Sequence, residues 1–191
     1  MSILFQPVSG KLGQIIIESP DSNVAPHLEF FIEIEFSEIE FEDEKVKPFF
    51  RGSNIVVPAE SWRALESSRY EFPWMPKPGS IDAGVLAFGI RNPADLLALK
   101  FGEAKEGKLP VSFEMEVDFE IEADRDEIGQ VKVEIAEFPL EIDSLKIATA
   151  LTRRLDQDSD EIEKAVRAVV DSTAYGSLSK VPGGFEMGIS V

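Results

Sequence analysis

The sequence predicts an α+β fold: a mainly antiparallel β-sheet with a long hairpin and short helices, and two amphipathic helices near the C-terminus. Three observations carry this reading. Residues 28–41 and 111–122 alternate apolar and acidic side chains with a period of two, which is the signature of a strand with one buried and one wet face. A second alternating run, Val131, Val133 and Ile135, follows the polar segment "DRDEIG", so the two runs read as a hairpin. Apolar residues spaced by three and four dominate only after about residue 143.

Taken in order, Ile3 to Phe5 and Gln14 to Ile17 read as short strands separated by the turn-prone "SGKLG". Residues 20–26 read as a loop between two prolines. Ile32, Ile34 and Phe36 then share one strand face, with Glu33 and Glu35 on the other. The phase slips after Ser37, where Ile39 and Phe41 become the apolar positions. A bulge, or a turn into a second strand, absorbs such a slip. Pro58, Trp62 and Leu65 suggest a short helix. "YEFPWMPKPG" reads as a loop with large apolar anchors, because its three prolines lack donors. "RNPADLLALKFG" carries helix punctuation, with Asn92 as N-cap, Pro93 at the first helical position and Gly102 past the end. Pro139 is expected to limit the strand that contains it. Leu145, Ala148, Leu151 and Leu155 form one helical stripe, and Ile162, Val166, Val169, Val170 and Thr173 form another. Asp158 and Glu161 have the spacing of a capping box, and a last strand is expected over 185–191. The 191 residues suit a single domain, with a sub-boundary near residue 143 as the alternative. In either case the helical segment 143–175 packs on the sheet.

Composition narrows the chemistry. The chain has no cysteine, so disulfides, thiolate nucleophiles and cysteine metal sites are excluded. One histidine, His27, cannot build a His-rich zinc site, and it reads as a loop residue. Phosphate-binding loops, dinucleotide fingerprints and nucleophile elbows are missing. Asp156, Asp158 and Asp160 sit at the first, third and fifth positions of a calcium loop. The sixth position is Glu161 where glycine is required, and the twelfth is Arg167 where glutamate is required. Those acids therefore read as a helix cap. No cofactor and no metal is expected. A formal charge of −17 opposes direct nucleic-acid or anionic-membrane binding. With no visible signal sequence and no long apolar run, a cytoplasmic protein is expected.

What remains is the acids themselves. Residues 112–127 hold eight acids against Arg125 alone, and residues 28–44 hold eight with no base. Strand formation explains their alternation but not their uniform sign, since mixed polar residues suit a wet strand face better. The expectation is a non-enzymatic binding protein, of inhibitor, immunity or nucleic-acid-mimic type, whose acidic sheet face meets a basic protein surface. The candidate contact residues are Glu33, Glu35, Glu114, Glu116, Asp118, Glu120 and Glu122. Tyr70, Phe72, Trp74 and Met75, from the proline-rich loop, are secondary candidates, because aromatic residues and Met are enriched at interfaces. The alternatives are acidity that serves solubility alone, and acids that bind a cation or catalyse a reaction.

Overall fold

A computed structural model describes residues 5–19, 24–41, 44–73, 81–120 and 128–190. It corrects the expected fold class. Strands make up 62% of the structure, and seven of them close into a barrel, so the architecture is not an α+β sheet backed by helices. The first strands are β1 (Pro7–Ser19), β2 (Val24–Phe36), β3 (Ile39–Phe41), β4 (Glu44–Val46), β5 (Phe49–Ile55) and β6 (Arg69–Glu71). They are followed by β7 (Asp82–Ala87), β8 (Ile90–Phe101), β9 (Lys108–Asp118) and β10 (Gln130–Ile147). Two short helices, α1 (Thr149–Arg154) and α2 (Ser159–Arg167), precede β11 (Tyr175–Val181) and β12 (Gly184–Ile189).

Around the barrel the order is β1-β2-β5-β7-β8-β9-β10, and a parallel seam between β10 and β1 closes it. All the other pairs in this ring are antiparallel. β3 and β4 form a separate hairpin between β2 and β5. β6 adds to β8, while β12 and β11 extend the sheet from the last residues of β10. The inward residues fill the barrel. Leu12, Phe30, Ile32, Phe50, Leu99, Val111, Phe113 and Leu140 are all buried, and Phe50 stacks on Phe113 with ring centroids 5.2 Å apart. The interior is thus a packed core of a size that seven strands can enclose. The outward residues of β2 and β9 are mostly charged or polar. Among the described residues, no helix is long and apolar enough to cross a membrane.

Local readings of the sequence fare unevenly. The β9–β10 hairpin and the wet face of β2 match their periodicity. The slip after Ser37 is a turn into the new strand β3. Segment 92–101, in contrast, is not a helix but the body of β8. Asn92 is fully buried, and its Nδ2 donates to the carbonyls of Val85, Ala87 and Ile90, tying the β7–β8 hairpin together. Pro93 lies opposite Gly84, and a bulge between Leu96 and Ala98 resets the alternation so that Leu96, Leu99 and Phe101 all point inward. Propensity for helix is overridden here by the pairing available on both edges.

"SGKLG" does not turn but runs straight through β1. Its glycines serve close packing: a Cβ on Gly13 would sit 1.8 Å from the Phe31 ring. Pro139 does not end β10. It faces Pro110 across the hairpin, where neither residue has a hydrogen to donate. Leu145 therefore belongs to β10 and not to a helical stripe. Trp62 and Leu65 sit in a single 3-10 turn, Trp62–Leu65. Asp158 caps α2 as expected, accepting hydrogen bonds from the backbone N–H of Asp160 and Glu161.

Candidate functional site

Barrel closure decides where the acids go. β2 and β9 share one sheet, but they stand three steps apart round a ring of seven, the widest separation such a ring allows. The two acidic windows thus form two patches on different sides of the barrel and not one plate.

The β2 patch is neutralised by its neighbours. Register places Lys108 of β9, Glu141 of β10, Lys11 of β1, Glu33 of β2 and Arg51 of β5 in a single outward row. The charges alternate along it. Lys11 Nζ lies 2.9 Å from Glu33, Arg51 3.5 Å from Glu33, and Lys108 3.7 Å from Glu141. Glu35 is met by Lys47 at 3.1 Å. Phe31, beside this row, lies over Gly13 and carries Arg51 and Lys146 at 5.9 Å and 5.8 Å from its ring centroid. A groove of about 440 Å³ crosses this face between Phe49 and Phe138, and its charges are largely taken up by one another. His27 is part of β2, with its Nε2 3.1 Å from Glu29 Oε1.

The β9 patch is neutralised less completely among the described residues. Glu116 lies between Asp95 of β8 and Lys132 of β10, and Glu114 lies opposite Glu134. Lys132 Nζ approaches Glu114 at 3.5 Å. Asp118 accepts from Gln130 Nε2 and from the N–H of Glu120. Among the described residues, Asp95, Glu116 and Glu134 enter no ion pair. Six acids, Asp95, Glu114, Glu116, Asp118, Glu120 and Glu134, therefore share one face with Lys132, and Lys100 of β8 and Arg69 of β6 stand at its edge. Asp95 and Glu134 were not marked from the sequence. Asp95 sits in the segment read as a helix, and Glu134 stands out only once the register places it opposite Glu114.

A smaller slot of about 340 Å³ opens at the edge of this face, lined by Arg69, Lys100, Ser112, Glu114, Glu134 and Ala136 among others. Two irregularities bracket it, one in β8 between Leu96 and Ala98 and one in β10 between Ile135 and Phe138. Of the aromatic candidates, Tyr70 lies in β6 with its ring edge-on to Phe101 at 6.4 Å, and Phe72 is packed against the core. Trp74, Met75 and Glu122 lie outside the described residues.

Buried polar groups elsewhere are structural. Tyr175 donates its hydroxyl to Gln14 Oε1 at 2.6 Å, and Gln14 Nε2 donates to the Asp143 carbonyl at 3.0 Å. Burial pushes the Tyr175 hydroxyl well above the usual phenol range, so it stays protonated as a donor. Glu18 is held by Arg154 Nε at 2.9 Å, and Trp62 Nε1 donates to the Ala174 carbonyl. No group of three or more metal-ligating side chains occurs among the described residues. Comparison with protein-family models, curated proteins and solved structures gives no match.

Proposed function

We propose that this is a non-enzymatic, cytoplasmic binding protein whose β8–β9–β10 face meets a basic partner, in the manner of inhibitor, immunity or nucleic-acid-mimic proteins. One observation supports the reading most: among the described residues Asp95, Glu116 and Glu134 of this face enter no ion pair, whereas Glu33 and Glu35 each meet a base from a neighbouring segment. Ladders of alternating charge are within this barrel's means, as the row through Lys11 and Glu33 demonstrates. A face left acidic beside such a ladder attracts and orients a cationic surface. The contact set accordingly comprises Glu114, Glu116, Asp118 and Glu120, with Asp95 and Glu134 added. Glu33, part of the ladder, and Glu35, met by Lys47, are left out of it.

Oligolysine is a suitable probe. Replacement of Glu114, Glu116, Asp118 and Glu120 by their amides is expected to weaken its binding at low salt by about tenfold or more. The double variant Glu33→Gln, Glu35→Gln is expected to change it by less than about twofold, because those carboxylates are already engaged. Equal losses from the two variants would mean that net charge alone, and not this face, governs binding.

A further inference from the structure

The slot at the edge of the acidic face has a charge pattern that a purely basic partner does not account for. At one end two cations face each other, Arg69 of β6 opposite Lys100 of β8. At the other end two anions face each other, Glu114 of β9 opposite Glu134 of β10. Like charges directly opposite across paired strands are destabilising, and here they occur twice in one slot. Arg69 is partly relieved by Glu71 at 2.9 Å, and Glu114 by Lys132 at 3.5 Å. Lys100 and Glu134 enter no ion pair among the described residues. The sheet thus keeps an unanswered cation and an unanswered anion at opposite ends of a cavity of about 340 Å³. That volume lies at the small end of the range for small-molecule sites.

The spacing is set by the strands. Lys100 and Ala98 are two residues apart on β8, as are Ser112 and Glu114 on β9, with Lys100 paired to Ser112 and Ala98 to Glu114. The cationic and anionic rows therefore stand about 6.6 Å apart along the strands on the same face, and the nearest unlike pair, Lys100 and Glu114, is also one strand apart, about 8 Å in all. An extended lysine or arginine separates its α-carboxylate from its side-chain cation by a similar length. The small side chains of Ala98 and Ser112, one in each row, and of Ala136 leave room for methylene groups.

We propose that this slot binds a basic amino-acid residue with a free carboxylate, lysine or arginine, either as the free amino acid or as the C-terminal residue of a peptide. The carboxylate meets Lys100 and Arg69, the side-chain cation meets Glu114 and Glu134, and the methylenes lie over Ala98 and Ala136. Binding is non-covalent. The site shares Glu114 and Glu134 with the face proposed above but does not depend on that reading, since Lys100 has no part in attracting a basic surface.

Calorimetric titration of the full chain tests this. L-lysine or L-arginine is expected to bind saturably at one site per chain. Norleucine, which lacks the side-chain cation, and agmatine, which lacks the carboxylate, are expected to bind about tenfold more weakly or worse. Lys100→Gln and Glu134→Gln should each cost about tenfold, and Glu116→Gln, outside the slot, less than about twofold. A lysine-terminated peptide that binds as the free acid but not as the amide assigns the site to chain termini. Binding of the free amino acid alone assigns it to a small molecule. Agmatine binding as tightly as arginine, Lys100→Gln without effect, or no saturation by about 10 mM ligand overturns the proposal. Lys100→Gln is not expected to weaken oligolysine binding, so the two readings fail separately.

Discussion

The same chemical change, Glu to Gln, is expected to have opposite effects on stability at Glu33 and at Glu134. Glu33 has a side chain only 17% exposed, with Lys11 at 2.9 Å and Arg51 at 3.5 Å. Each pair is partly wet and contributes about 0.2–1 kcal/mol. Glu33→Gln should therefore destabilise the fold by about 1 kcal/mol, lowering Tm by about 2–4 °C for a chain of this size. Glu134 sits directly opposite Glu114, where cross-strand Cβ atoms lie about 5 Å apart. In water that repulsion is about 0.8 kcal/mol before screening. Glu134→Gln should accordingly stabilise the fold by about 0.3–0.8 kcal/mol at low salt. Urea unfolding midpoints at low ionic strength and in about 0.5 M salt test both. Salt should shrink the two effects toward zero from opposite sides. If both variants shift the midpoint in the same direction at low salt, the distinction between a neutralised β2 face and a frustrated β9 face is wrong.

Three further outcomes follow from the geometry. Tyr175→Phe leaves the buried Gln14 Oε1 without its donor and should cost about 1–3 kcal/mol in urea unfolding. Gly13→Ala places a methyl group against the Phe31 ring, which must swing off β1. About 1–3 kcal/mol should be lost, together with the ring's contacts to Arg51 and Lys146, measurable by ring-proton NMR shifts. The backbone N–H and the hydroxyl of Thr173 hold the Asp171 carboxylate below its usual range, so this group favours the folded state above its unfolded pKa near 4 and loses that contribution as pH falls through the folded value. Asp171→Asn should therefore flatten the acid limb of the stability curve below about pH 4 and leave its shape above pH 5 unchanged.

Alternation along β2 and β9 was legible because a strand with one wet face writes a period of two wherever its pairs lie. The closure of the barrel was not. It depends on a parallel contact between residues 11–16 and 141–147, and no local turn announces a pairing of that range. Segment 92–101 was misread because Asn92, Pro93 and Gly102 mimic helix punctuation, while the bulge after Leu96 disguises the strand period as a helical one. That misreading also hid Asp95 and Lys100, which line up on one face only when the segment is extended. The acids that β9 itself and Glu120 bring to the candidate face were visible in the sequence. The bases that remove Glu33 and Glu35 from it were not, because Lys11 and Arg51 come from strands on either side and meet Glu33 only through the register.

The seam between β1 and β10 also sets a timetable for synthesis. β1 can pair with β2 as soon as both have left the ribosome, but its other edge stays open until residues 141–147 emerge, some 130 residues later. At ordinary translation rates that is a wait on the order of 10 s. During it Ile15, Ile16 and Ile17 present an unpaired, β-branched edge, the kind that recruits other chains. Growth conditions that slow elongation across β2 to β10 should therefore lower the yield of soluble protein more than its equilibrium stability suggests.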